Sequence, residues 1–143
     1  MLIMALVLHR EHYDAIRARA AIEAPRECCG ILAGVLTPER AIVREVHAVA
    51  NVSEGAPTTR FLLDPRAHLR LQRECRERGL TVVGFYHSHP TGSAVPSASD
   101  LELAWPRVSY VIVSLRGGHP HELRSWRLDE ESGQFREEPV EVI

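Results

Sequence analysis

The apolar positions of this chain are grouped into short dense runs separated by Gly, Pro and charged residues. Residues 28–35, 80–86 and 108–115 are almost wholly apolar, rich in Val, Ile, Leu and aromatics, which is the pattern of buried strands. Residues 41–49 and 122–128 carry Val, Ile or Leu interrupted by charges and also read as strands, the latter ending near Asp129. A short strand is predicted over 59–63. Residues 1–8 read as a first strand or as the lead-in to a helix. Residues 135–143 contain Pro139 and read as an edge strand, because Pro cannot donate to a ladder. Three segments have helical character. In 9–23, Tyr13, Ile16 and Ala20 form one stripe, and Pro25 ends it. In 64–78, Asp64-Pro65 is a cap followed by Pro in the first turn, Ala67, Leu71 and Cys75 recur every four residues, and Gly79 is the stop. The third runs over 97–104 and stops at Pro106. Pro38, Gly117-Gly118 and Gly133 mark turns, and 51–59 is a polar loop.

Strands mixed with three helices, several of the strands apolar throughout, predict an α/β fold with a sheet covered on both faces. At 143 residues the chain suits one domain over residues 1–143. A net charge of −2 argues against nucleic acid or an anionic membrane as partner. Cys28, Cys29 and Cys75 are an odd set with two adjacent, unlike a disulfide framework. The apolar start is too short to span a membrane and lacks a basic leader, so a reducing cytoplasm is expected.

The chemistry concentrates at His87-Ser88-His89-Pro90. Side chains two apart on a strand share a face, so the apolar run ending here presents His87 and His89 together. With ten residues between it and His89, Asp100 can return a carboxylate to the pair. Two His and one Asp leave a fourth position open, the arrangement of catalytic rather than structural zinc. Ser97 stands three before Asp100 and just ahead of Leu101, the pattern of a helix cap with a reciprocal acidic partner. That would fix Asp100 in a first helical turn. His119-Pro120-His121 repeats the spacing in a Gly-Pro context without a matching carboxylate, and is read as a solvated loop. No His-Glu-x-x-His or Pro-Cys-x-x-Cys element is present. A Cys28/His nucleophilic pair remains open, although Cys inside an apolar run is usually inert.

Taken whole, His-x-His followed by Ser97-x-x-Asp100 resembles the signature of the JAMM (MPN+) metalloproteases. Residues 25–34, Pro-Arg-Glu-Cys-Cys-Gly-Ile-Leu-Ala-Gly, are similar to the segment of the small prokaryotic members that carries their catalytic Glu. Phe61, Asp64-Pro65 and Gly79 also fall in the family's order. The resemblance covers about residues 6–126. It implies a curved mixed sheet flanked by helices, similar to the cytidine deaminase architecture. It implies Zn²⁺ on His87, His89 and Asp100, Glu27 as general base and Ser97 as oxyanion donor. The residues alone would not choose Glu27 over Glu23. Ser88, facing away between the two His, is given a structural role.

The resemblance also implies hydrolysis after the C-terminal Gly of a ubiquitin-like or sulfur-carrier protein ending in Gly-Gly, with release of cysteine from a carrier as one form. A narrow groove is expected, since only Gly brings backbone close to a metal without a Cβ clash. Residues 51–60 are a candidate flanking loop. A non-catalytic scaffold and a metal-dependent amidase of small molecules are the alternatives.

Overall fold

A computed structural model of the chain describes residues 4–54, 60–102 and 104–143. Its elements are β1 (Ala5–Leu8), α1 (Arg10–Glu23), β2 (Cys29–Leu36), β3 (Arg40–Val49), α2 (Pro65–Glu77), β4 (Thr81–His89), α3 (Ala98–Glu102), β5 (Ser109–Arg116), β6 (His119–Asp129), β7 (Gln134–Glu138) and β8 (Val140–Val142). The strands form one sheet in the order β7-β6-β5-β4-β2-β3-β1-β8. β1 runs parallel to β3 and β8, and β4 parallel to β5, while the remaining pairs are antiparallel. β7 and β8 lie on opposite edges, yet Pro139 alone separates them in the chain. The sheet therefore curls until its edges approach one another. The Leu6 N–H donates to the Pro139 carbonyl at 2.9 Å and ties that corner. This is the curved mixed α/β sheet flanked by helices that the sequence led us to expect.

Each face of the sheet has its own core. Ile16 and Ala20 of α1 pack with Leu8, Leu32, Tyr86 and Val111 on one side. Leu71 of α2 packs with Ile31, Phe85 and Tyr110 on the other. Adjacent residues of β4 thus serve different layers, as strand alternation requires. That parity sends His87 and His89 to the α2 side with Phe85, and Ser88 to the α1 side with Tyr86. The Asp64 carboxylate accepts from the Arg66 N–H at 3.1 Å, and Pro65 opens α2, as the capping pattern predicts. Beyond the helix, Gly79 has φ +76°, a conformation that favours glycine.

Tight packing at the centre of the sheet makes one fold prediction. Gly30 pairs with Ala48 of β3 and Tyr86 of β4. A Cβ there would run into the Tyr86 ring and the His47 carbonyl. Gly30→Ala is expected to cost about 2 kcal/mol through overpacking. For a chain of this size that lowers the melting temperature by about 4–8 °C, measured by calorimetry.

Four expectations change. Residues 135–143 are not one edge strand: Pro139 splits them between the two edges of the curled sheet. His119, Pro120 and His121 are not a loop but the start of β6. The glycines at 117 and 118 turn the chain with φ +60° and +80°, leaving no residues over for a loop. Pro120 is tolerated because the pairing of β6 with β7 begins only at Ser125. In 59–63, Thr59 lies outside the described residues and only Leu63 makes a bridge, to Asn51. The third helix is a single turn, Ala98–Glu102. Part of the 51–59 loop and Met1–Ile3 also fall outside the described residues.

Candidate metal centre

β4 carries both histidines to its last residue, and the chain then returns through α3. The Ser97 Oγ accepts from the Asp100 N–H at 3.2 Å, and the Asp100 Oδ2 accepts from the Ser97 N–H at 2.8 Å. This reciprocal cap is the one the Ser-x-x-Asp spacing predicts. It aims the carboxylate at β4. His87 Nε2, His89 Nε2 and Asp100 Oδ2 then form a triangle with all three sides 3.2 Å. A tetrahedral zinc site with bonds of about 2.0–2.1 Å has ligand–ligand edges of about 3.3–3.4 Å. The donor set and its spacing fit such an ion without rearrangement.

Glu27 lies just ahead of β2, is 4% exposed, and brings a carboxylate oxygen within 4.8 Å of a ring nitrogen of each histidine. Among the described residues its Oε1 is buried with no hydrogen-bond partner. Burial pushes its pKa up to about 7, opposed by the nearby His89 and reinforced by the Asp100 charge. Asp100 behaves in the opposite way. Burial alone would raise it, but the hydrogen bonds to His87 and His89 win and hold it well below the usual carboxylate range. Burial lowers the pKa of His87. Burial also works against a charged His89, but the bonds to Asp100 and the Ser93 carbonyl outweigh it and raise the pKa.

Surrounding groups orient this set. His89 Nδ1 lies 2.8 Å from the Ser93 carbonyl, which fixes the tautomer that leaves Nε2 free to ligate. The Ser88 Oγ accepts from the Cys28 N–H at 2.8 Å on the opposite face, in keeping with the structural role read from its position. Glu23 is not part of the cluster. It lines a separate cavity of about 210 Å³ with Arg19, Cys28 and Cys29. Burial pushes Cys28 and Cys29 up to about 11 and about 12, so neither is a thiolate at neutral pH. Their burial, at 2% and 1% exposed, likewise counts against the cysteine-nucleophile alternative. His121 lies 4.0 Å from the Glu122 carboxylate and takes no part in the cluster.

Three features escaped the sequence. A cavity of about 510 Å³ opens beside His87 and Asp100, walled by Phe85, Trp105, Tyr110 and Phe135. It is wider than a groove for Gly-Gly alone. Phe61 stacks on His87 with ring centroids 4.2 Å apart. The Asn51 amide bridges Glu27, Arg60 and Leu62. Nothing in the local pattern of residues 51–63 marks Asn51 as more than a polar loop residue.

A curled mixed sheet whose central strand ends in a His-His-Asp triangle, with the buried Glu27 carboxylate beside it, defines a protein with a candidate hydrolytic metal site. A family model described as prokaryotic homologs of the JAB domain matches residues 9–129. The chain belongs to that family. It is 37% identical over 142 residues to a CysO-cysteine peptidase of Mycobacterium tuberculosis, covering 99% of this chain and 93% of that one. It is 40% identical over 128 residues to a desampylase of Haloferax volcanii, covering 88% and 85%. A solution structure of a protein from Desulfitobacterium hafniense superposes with a TM-score of 0.84 at 29% identity, covering 98% of this chain and 93% of that one. The JAMM/MPN resemblance read from the motifs is borne out.

Proposed function

We propose that the chain is a zinc-dependent peptidase or isopeptidase that cleaves after the C-terminal Gly of a small ubiquitin-like or sulfur-carrier protein. The observation that carries this is the triangle of 3.2 Å sides with the buried Glu27 beside it, whose Oε1 has no hydrogen-bond partner among the described residues. The names of the relatives support a carrier protein as substrate, and one of them supports release of cysteine. His87, His89 and Asp100 hold the ion. Zinc, when bound, supplies a Lewis acid and a water with a pKa of about 7. Glu27 takes the proton of the attacking water and delivers it to the leaving amine, which requires a base near neutrality. The Ser97 hydroxyl, exposed at the start of α3, donates to the developing oxyanion, a contribution of about 3 kcal/mol. Its cap to Asp100 is compatible with that role, because the Asp100 N–H occupies only an acceptor position of the hydroxyl.

The carrier ends in Gly-Gly, since only Gly brings its backbone close to an ion without a Cβ clash. Extended backbone can pair with an exposed strand edge, which would supply affinity independent of sequence. The chain acts as one domain in a reducing compartment, in keeping with three buried free thiols. Among the described residues no helix is long and apolar enough to cross a membrane.

The test is to incubate the purified chain with its organism's Gly-Gly-ended carriers, each extended by one amino acid, and follow the mass. Loss of the extension, stopped by a chelator and restored by zinc, is the expected result. Replacing the carrier's last Gly with a bulky residue should block cleavage while the carrier still binds. Cleavage of a small amide but of no carrier would favour the amidase alternative. A zinc-loaded chain that cuts nothing would favour the scaffold.

A further inference from the structure

The two histidines are held differently. The second nitrogen of His89 is tied to the Ser93 carbonyl, whereas His87 Nδ1 is buried without a hydrogen-bond partner among the described residues. A ligating imidazole usually has that nitrogen tied to a carboxylate, carbonyl or water, which fixes the plane of the ring. The outer torsion of a His side chain is otherwise broad. An untied ring can swing its Nε2 away from the other donors.

Phe61 takes the place of the missing tie. Its ring lies over His87 with centroids 4.2 Å apart and planes 20° from parallel. A flat face stacked on a flat ring resists rotation as a hydrogen bond would. Phe61 itself sits on a segment without regular structure, and Asn51 grips that segment from both sides. Asn51 Nδ2 donates to the Arg60 carbonyl at 3.0 Å, and Asn51 Oδ1 accepts from the Leu62 N–H at 3.0 Å. The Val52 N–H adds a bond to the Leu62 carbonyl at 2.8 Å. The same Nδ2 donates to the Glu27 carbonyl at 3.0 Å. One amide thus ties the residue before Phe61, the residue after it and the backbone of Glu27.

We propose that Phe61, clamped by Asn51, is a positioning residue that holds the His87 ring at its ligating angle and keeps it in register with Glu27. This rests on His87 being a metal ligand. It gives Asn51 and Phe61 a role besides belonging to the connection from β3 to α2.

Chelator competition with zinc is the direct measurement. Phe61→Ala should bind zinc about 10-fold or more weakly than the natural chain, the scale of lost outer contacts. Phe61→Tyr keeps the ring face and should bind within about 2-fold of the natural chain, well inside that scale. Phe61→Leu keeps apolar bulk without a flat ring and should behave like Phe61→Ala. Asn51→Ala should weaken binding in the same direction. In the cobalt-substituted protein, Phe61→Ala should shift the visible absorption bands, a signature of altered ligand geometry. The melting temperature of the metal-free protein separates ring positioning from loss of fold, and Phe61→Leu is the variant to rely on if Phe61→Ala unfolds. Phe61→Leu binding zinc as tightly as the natural chain would overturn the proposal, and so would Phe61→Tyr binding as weakly as Phe61→Ala. A natural chain that binds no zinc would instead overturn the ligand assignment beneath it.

Discussion

Glu27→Gln is expected to abolish turnover almost completely while leaving the metal in place. Gln has nearly the same shape as Glu and cannot take up a proton at neutral pH. A general base contributes roughly 100- to 10,000-fold to rate, so kcat should fall by about 100-fold or more. Metal content should stay at about one ion per chain, because the 3.2 Å triangle is made by His87, His89 and Asp100 alone. The fold should be unaffected: among the described residues the Glu27 Oε1 has no partner to lose. Elemental analysis, melting temperature and initial rate on one preparation check all three. Loss of metal would mean that Glu27 ligates, which its position within 4.8 Å of both histidines makes the natural alternative. Full activity would move the base elsewhere. Glu23 would be a poor replacement, since it faces the cavity beside Cys28 and Cys29 rather than the histidines.

The difference between those two acids shows where reading the sequence reaches its limit. Strand parity is a local property, so His87 and His89 on one face and Ser88 on the other were legible from their order alone. The cap joining Ser97 to Asp100 is local as well, spanning three residues. Glu27 reaches the histidines only because β2 pairs with β4, placing Cys29 opposite His87. Which acid ahead of β2 arrives there depends on the register of that pairing and on where α1 ends. Neither is written in the spacing of the acids themselves, and only the family resemblance singled out Glu27. Asn51 and Phe61 are harder still, because their partners lie 24 and 26 positions away in the chain.

The division of residues 134–142 between opposite sheet edges has a related cause. Strand character was legible on both sides of Pro139, and the Pro was correctly placed outside a central ladder. The pairing of Val140 with Leu6 depends on the curl of the whole sheet, a sum of small twists over eight strands. Likewise the glycines at 117 and 118 signalled a turn, but the tightness of that turn decides whether His119 is loop or strand. His119 and His121 remain exposed even within β6, so the solvated character read from the sequence holds although the loop does not.

Removing a ligand is the second large effect expected. His89→Ala and Asp100→Ala should each lose most of the bound metal, and activity should fall to the level of the natural chain treated with chelator. The physical reason is the closeness of the triangle. Removing one of three donors spaced at 3.2 Å leaves two, and the fourth position is needed for water. Asp100→Ala also removes the acceptor for the Ser97 N–H, so a loss of metal there has two possible origins. Asp100→Asn separates them, since an amide oxygen still accepts that bond but carries no charge for the ion. It should keep α3 in place and still bind metal weakly. His121→Ala, a change outside the cluster, should retain metal fully. Stability offers a readout independent of activity. A ligand at 100 times its Kd stabilises the folded state by about 2.7 kcal/mol. For a chain of this size that raises the melting temperature by about 5–10 °C. Zinc should produce that rise in the natural chain and in His121→Ala, and little or none in His89→Ala and Asp100→Asn. An equal rise in all four would place the ion elsewhere and remove the basis for the hydrolytic reading.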